Sequence, residues 1–359
     1  MAGLRGATQR GARVRSYSAV AALLAHAVAA ASPGAARVSS TRVAAARSPG
    51  AALRMSVAGE PGSEGTRGAG SVDAPPTIVI CPGFGNAMVD YVAPLGSLER
   101  DGLCAVLARR GYATSVLPVD RRDWLRVALG LRDWSFVRGR GVPTGPAFNW
   151  YLQLLRESVE AEAARSNSRV LLLAHSAGGW LARAALADNE WRGDGRTSDS
   201  LVRGLVTLGS PHLPPPDGLR DQTFGTLRFV DAAYPGAHLR GSIGYVTVAS
   251  DAIVGNPAAE RGSPSKYAFG SYEMVCGAGG VPGDGVVPSC SAHLEGALLQ
   301  LTLEQAVHSI NEPGTAQPTA RWYGSEAVID QWLAPVEQVL GLPQRAPAQE
   351  SSSPLGVLL

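Results

Sequence analysis

The run Arg169–Ala174 (RVLLLA) passes without a spacer into His175-Ser176-Ala177-Gly178-Gly179-Trp180. An apolar run this continuous reads as a strand buried on both faces, and Trp180–Ala187 beyond it reads as a helix. A buried strand that turns directly into a helix belongs in a parallel sheet covered by helices, which excludes most all-α and antiparallel all-β arrangements. The turn is also crowded. Residues two before and two after Ser176 must be small, because strand and helix backbones approach each other there, and Ala174 and Gly178 meet that need.

The same alternation continues along the chain. Thr77–Cys81 (TIVIC) is an apolar run closed by Pro82-Gly83, and Leu98–Arg110 is a helical pattern stopped by Gly111. Thr114–Val119, Leu205–Leu208 and Tyr245–Ala249 are further strand candidates. Phe148–Arg165 and Glu326–Leu340 are expected helices. Together these elements define one α/β domain over residues 76–343, with 344–359 as an unstructured tail.

Charge is nearly balanced at +2, with 17% charged and 45% hydrophobic residues. Nucleic acid is therefore excluded as the main partner, since phosphate binding requires a concentrated basic face. The exception to that balance is the start of the chain. Glu60 is the first acidic residue, whereas Arg5, Arg10, Arg13, Arg15, Arg37, Arg42, Arg47 and Arg54 precede it in an Ala- and Ser-rich context. Residues 1–75 thus have the composition of an organelle transit peptide, for a plastid or alternatively a mitochondrion. Ala19–Ala31 is too short to span a bilayer and fits the apolar part of a signal peptide ahead of the transit segment. The four cysteines show no metal-ligand spacing, and Cys276 and Cys290 are expected to pair only in an oxidising compartment.

Ala174-His175-Ser176-Ala177-Gly178 matches the nucleophile elbow G-x-S-x-G, with Ala174 at the first glycine. A Ser on such a turn has its hydroxyl exposed, and the helix that follows aims its positive end at developing negative charge. On this segment the chain resembles the α/β-hydrolase superfamily, in its lipase-like branch, over roughly Thr77 to Leu340. Bacterial lipases share the A-x-S-x-G form. The blocks Pro82–Asn86 with Asp90-Tyr91, His175–Trp180, and Gly283–Pro288 with Ser291–Ala297 are similar to those of plastid-targeted plant and algal hydrolases.

The resemblance implies an α/β-hydrolase fold, with a mostly parallel central sheet and a chain order of Ser, acid and His. Ser176 is then the nucleophile. Its oxyanion would be held by the N–H of Ala177 and by that of Phe84, in the Cys81–Asn86 loop, where Pro82 departs from the usual His-Gly. His308, the last histidine, is the expected base. His293 is its rival, within an expected helix start at Ser291–Ala297, and His212 comes too early. Asp284, 24 residues before His308, is the expected acid, with Asp251 as the alternative because it follows a strand end.

An insertion at residues 121–140 sets Trp124, Val127, Ala128, Leu131 and Trp134 on one helical face among Arg122, Arg126, Arg132 and Arg138. Such a segment contacts a membrane surface, closes over a lipid site as a lid, or packs onto the domain. His212–Leu239 is a second cap candidate. The function implied is hydrolysis of carboxylic esters, acyl lipids foremost, through an acyl-enzyme that needs no cofactor or metal. An acyltransferase would use the same acyl-enzyme, and a non-catalytic relative would bind a lipid or protein partner instead.

Overall fold

The computed structural model describes residues 75–94, 97–187, 197–311 and 318–343. The Arg-rich leader with its Ala19–Ala31 segment, and the tail from residue 344, lie outside the described residues.

Six strands form the central sheet: β1 (Ile78–Cys81), β2 (Thr114–Val116), β3 (Val170–His175), β4 (Val202–Leu208), β5 (Gly244–Ser250) and β6 (Leu299–Leu303). Their order is β2-β1-β3-β4-β5-β6, and every neighbouring pair is parallel. Parallel strands buried on both faces split their side chains between two cores by the two-residue period. Val79, Cys81, Leu172, Ala174 and Leu205 enter one core, whereas Ile78, Ile80, Leu171, Leu173 and Val206 enter the other.

Among the described residues, the α-helices longer than one turn are α1 (Leu103–Arg109), α2 (Asn149–Ser166), α3 (Ala177–Ala187), α4 (Thr226–Ala233), α5 (Pro264–Cys276) and α6 (Asp330–Val339). α2 and α3 cover the first core together with Trp124 and Trp180, and α1 and α6 cover the second with Trp322, Tyr323 and Trp332. Arg110 at the end of α1 ties these last two helices together, donating to Asp330 at 2.6 Å and to Glu326 at 2.8 Å. Among the described residues, no helix is long and apolar enough to cross a membrane.

Three sequence expectations change. The helix expected over Leu98–Arg110 begins only at Leu103, after a 3₁₀ turn at Glu99–Asp101, because Gly102 is extended and packs against the Val92 carbonyl. The helix start expected at Ser291–Ala297 is instead a short turn, Ser289–Ala292, followed by β6. β6 lies at the sheet edge, where Leu299, Leu301 and Leu303 turn to the second core and Gln300 and Thr302 are exposed, the two-residue alternation of a half-buried strand.

The third change concerns the insertion. Arg121–Arg132 is a 3₁₀ helix, not one α-helical face, and Trp124, Val127 and Gly130 are buried at its three-residue period. Ala128 and Leu131 are only half-buried, and Trp134 is exposed on a separate helical turn, Trp134–Val137, capped by Asp133. The segment packs onto the domain, and it meets the second insertion where Phe136 stacks on Phe224 with ring centroids 4.5 Å apart.

Candidate active site

From β1 the chain runs to β2 on one side of the sheet, while β3 lies on the other side of β1. At such a reversal of strand order the diverging connections leave a crevice at the carboxyl ends of the strands. The Pro82–Ala87 loop leaves β1 at this crevice, and Ser176 leaves β3 there. Ser176 has φ 53°, a left-handed conformation that costs roughly 1–3 kcal/mol and persists only where its surroundings fix it. The surroundings of this turn are tight. A Cβ added to Gly83 would lie 2.6 Å from Ser176 Cβ, and one on Gly178 would collide with the Cys81 carbonyl. Ala174, which replaces the usual first glycine, is accommodated with its methyl wholly buried in the core.

His308 follows β6 and lies above this serine. Its Nε2 is 2.9 Å from Ser176 Oγ, and its Nδ1 is 2.8 Å from Asp284 Oδ2. Asp284 is itself held on all sides. Oδ1 accepts the Val286 and Val287 N–H groups at 3.0 and 2.8 Å, Oδ2 accepts the Tyr323 hydroxyl at 3.1 Å, and the Asp284 carbonyl accepts the His308 N–H at 2.9 Å. An ionised carboxylate only accepts, so His308 carries its proton on Nδ1 and turns a bare Nε2 lone pair toward the serine hydroxyl. Burial, followed by the charge of Asp284, pushes the Tyr323 phenol well above its ordinary range and keeps it a donor. Gly209, at φ 54°, abuts Asp284 and His308 so closely that a side chain there would displace both.

Three aromatic side chains clamp the loop after β1. The Tyr91 hydroxyl accepts the Gly83 N–H at 3.1 Å, the Tyr151 hydroxyl donates to the Pro82 carbonyl at 2.8 Å, and Trp124 Nε1 donates to the Asn86 carbonyl at 2.8 Å. Asp90 accepts the Ala87 N–H at 2.9 Å and pairs with Arg121. Among the described residues, no acceptor meets the N–H of Phe84 or that of Ala177. Free amides at a helix start and on a clamped loop, beside a serine hydroxyl, form an arrangement able to bind an oxyanion.

A six-stranded parallel sheet, a serine on a left-handed turn at its switch point, an acid in the β5–β6 connection and a histidine after β6 occur together in this chain. The chain has the α/β-hydrolase fold. Residues 147–234 match the family model described as the PGAP1-like alpha/beta domain. That span contains the serine turn but neither Asp284 nor His308. Among solved structures, the mature Bacillus licheniformis lipase BlEst2 is similar with a TM-score of 0.44 and 14% identity, over 75% of this chain and 93% of that one. The metagenomic carboxyl esterase MGS0156 gives 0.40 and 15%, over 80% and 84%. The esterase domain of a Rhodothermus marinus protein gives 0.35 and 13%, over 73% and 88%. No curated protein matches the sequence.

The remaining candidates are not drawn into this chain of groups. Asp251 is exposed, and its N–H donates to the Leu303 carbonyl at 2.9 Å, so β6 holds its backbone while His308 turns to Asp284. His293 bridges Thr247 Oγ1 at 3.0 Å and Thr302 Oγ1 at 2.9 Å, which links β5 to β6. His212 is buried against Thr207 Oγ1 at 3.1 Å and beside Arg183. Cys81 and Cys104 are buried thiols, and Cys276 and Cys290 are unpaired thiols, Cys276 lying 3.4 Å from the Ala278 carbonyl. The sequence pattern does not single out Tyr323, Gly209, Tyr151 or Tyr91 as functional. Tyr91 at least belongs to the Asp90-Tyr91 block, whereas Tyr323 carries no local signal.

Proposed function

We propose that this chain is a serine hydrolase that cleaves carboxylic esters of acyl lipids. Ser176 Oγ attacks the ester carbonyl as His308 Nε2 takes its proton, and the Ala177 and Phe84 N–H groups bind the resulting oxyanion. Collapse of this intermediate breaks the ester bond. The alkoxide leaves with the proton from His308, and the acyl group stays on Ser176. Water then adds to the acyl-enzyme while giving its proton to His308, and the carboxylic acid departs as Ser176 regains its hydrogen. Asp284 holds the tautomer throughout and stabilises the imidazolium.

The observation that carries this reading is the unbroken contact from Asp284 through His308 to Ser176, at 2.8 and 2.9 Å. Its lipid part is supported by the insertion. Leu125, Leu129 and Trp134 are 54, 39 and 47% exposed beside exposed Arg122, Arg126, Arg132 and Arg138, a combination suited to an anionic bilayer surface. Purified protein should release fatty acid from vesicles of diacyl lipid, and faster when anionic lipid is included. Turnover of short soluble esters with none of any acyl lipid would overturn the substrate assignment.

A further inference from the structure

Three buried hydrogen bonds join the loop after β1 to the backbone of His308. The Gly83 N–H donates to the Tyr91 hydroxyl at 3.1 Å, Tyr91 Oη lies 3.0 Å from His175 Nδ1, and His175 Nε2 lies 3.2 Å from the His308 carbonyl oxygen. The valences allow one direction. A carbonyl only accepts, so His175 carries its proton on Nε2. Burial, and secondarily the charge that His308 takes up, holds the His175 imidazole well below its usual range, so it is neutral and Nδ1 is a bare acceptor. The Tyr91 O–H must therefore donate to Nδ1, while its oxygen accepts from Gly83. In the opposite tautomer, two lone pairs would face each other at His308 and the Tyr91 proton would have no acceptor.

The surroundings fix this chain in place. Tyr91 and His175 are almost wholly buried, and Trp322 meets both edge-on with ring centroids 6.2 and 5.7 Å away. The two ends of the chain matter for different reasons. At one end, Gly83 lies against Ser176 and precedes the Phe84 amide. At the other, the His308 backbone sets the height of the imidazole over the serine. Neither Tyr91 nor His175 touches the serine hydroxyl, and the structure links them to catalysis only through these two ends.

We propose that Tyr91 and His175 are positioning residues that set the oxyanion loop and the base at one mutual distance, matched to the transition state. The proposal rests on the serine-hydrolase reading. A neutral His175 also suits the position, since its ring centroid is 4.9 Å from that of His308, where a second cation would oppose imidazolium formation.

The test is a double-mutant cycle on the full chain with a soluble ester, followed by kcat, KM and the rate of Ser176 phosphonylation by a fluorophosphonate. Tyr91→Phe and His175→Leu should each lower kcat about tenfold or more and change KM less than about twofold, because displaced groups act on the transition state. The double variant should be no slower than the slower single one, since either change cuts the same chain. His175→Gln, which keeps an N–H for the His308 carbonyl, should recover much of the loss and also serves if His175→Leu does not fold. Wild-type kcat and labelling rate in folded Tyr91→Phe, or losses that multiply in the double variant, would overturn the bridge while leaving the hydrolase reading standing. Absence of Ser176 labelling in the wild type would overturn that reading, and the bridge with it.

Discussion

Replacing Ser176 by Ala should lower kcat for ester hydrolysis by about four to six orders of magnitude, with the fold unchanged. The magnitude follows from what the hydroxyl does. Without Oγ there is no acyl-enzyme, and His308 Nε2, 2.9 Å from that oxygen, has only water to activate. The fold should survive because the strained turn is held by its neighbours: Gly83 and Gly178 admit the close backbone approach, and the Ser176 N–H donates to the Leu208 carbonyl at 3.0 Å. Alanine keeps that N–H and adds no bulk. Steady-state kinetics together with thermal melting checks both halves. A folded variant with more than about a hundredth of wild-type kcat would be incompatible with a nucleophilic role.

Asp284→Asn should be nearly as damaging, on the order of 10⁴-fold in kcat, although it changes one atom and no volume. The hydrogen bonds at this carboxylate dictate how the amide must sit. The Oδ1 position accepts two backbone N–H groups, at 3.0 and 2.8 Å, so the amide oxygen stays there. Its NH₂ then takes the Oδ2 position, facing His308 Nδ1 and the Tyr323 hydroxyl. Donating to Nδ1, the amide forces the imidazole proton onto Nε2, where it points at the serine and cannot accept a proton from it. The Tyr323 O–H loses its acceptor as well. The signature is therefore loss of kcat with binding retained, seen as an almost unaltered inhibition constant for a non-reacting ether analogue of the substrate.

Both substitutions fall on residues that the sequence proposes, Ser176 on a local pattern and Asp284 on the family resemblance. The serine announces itself because a buried strand, small flanking residues and a helix start must coincide within ten residues. Asp284 stands out by its flanking Gly283 and Gly285, which suit a loop that approaches other backbone closely, and His308 by being the last histidine in the chain. The sequence pattern and the structure part where tertiary contacts override the local pattern. The 121–132 segment takes a 3₁₀ period because Trp124, packed against Phe84 and Tyr151, reaches the Asn86 carbonyl. Nothing in the sequence marks the contacts that Tyr323 and Gly209 make with Asp284. Each acts on Asp284 from a distant part of the chain, and nothing in its own neighbourhood records that contact.

The same contrast explains the insertion's double character. Its buried period clamps the loop after β1, and the residues left over by that period, Leu125 and Leu129 among the arginines, are the ones exposed. Of the residues expected on one helical face, Trp124 and Val127 are buried and Trp134 is exposed.

The most direct measurement is the intact mass of the folded protein after exposure to a fluorophosphonate, with the adduct mapped by peptide sequencing. A nucleophilic Ser176 activated by His308 and Asp284 requires one phosphonyl group per chain, on Ser176, absent from Ser176→Ala and strongly slowed in Asp284→Asn. An unmodified wild-type protein, or an adduct that persists in Ser176→Ala, would contradict it.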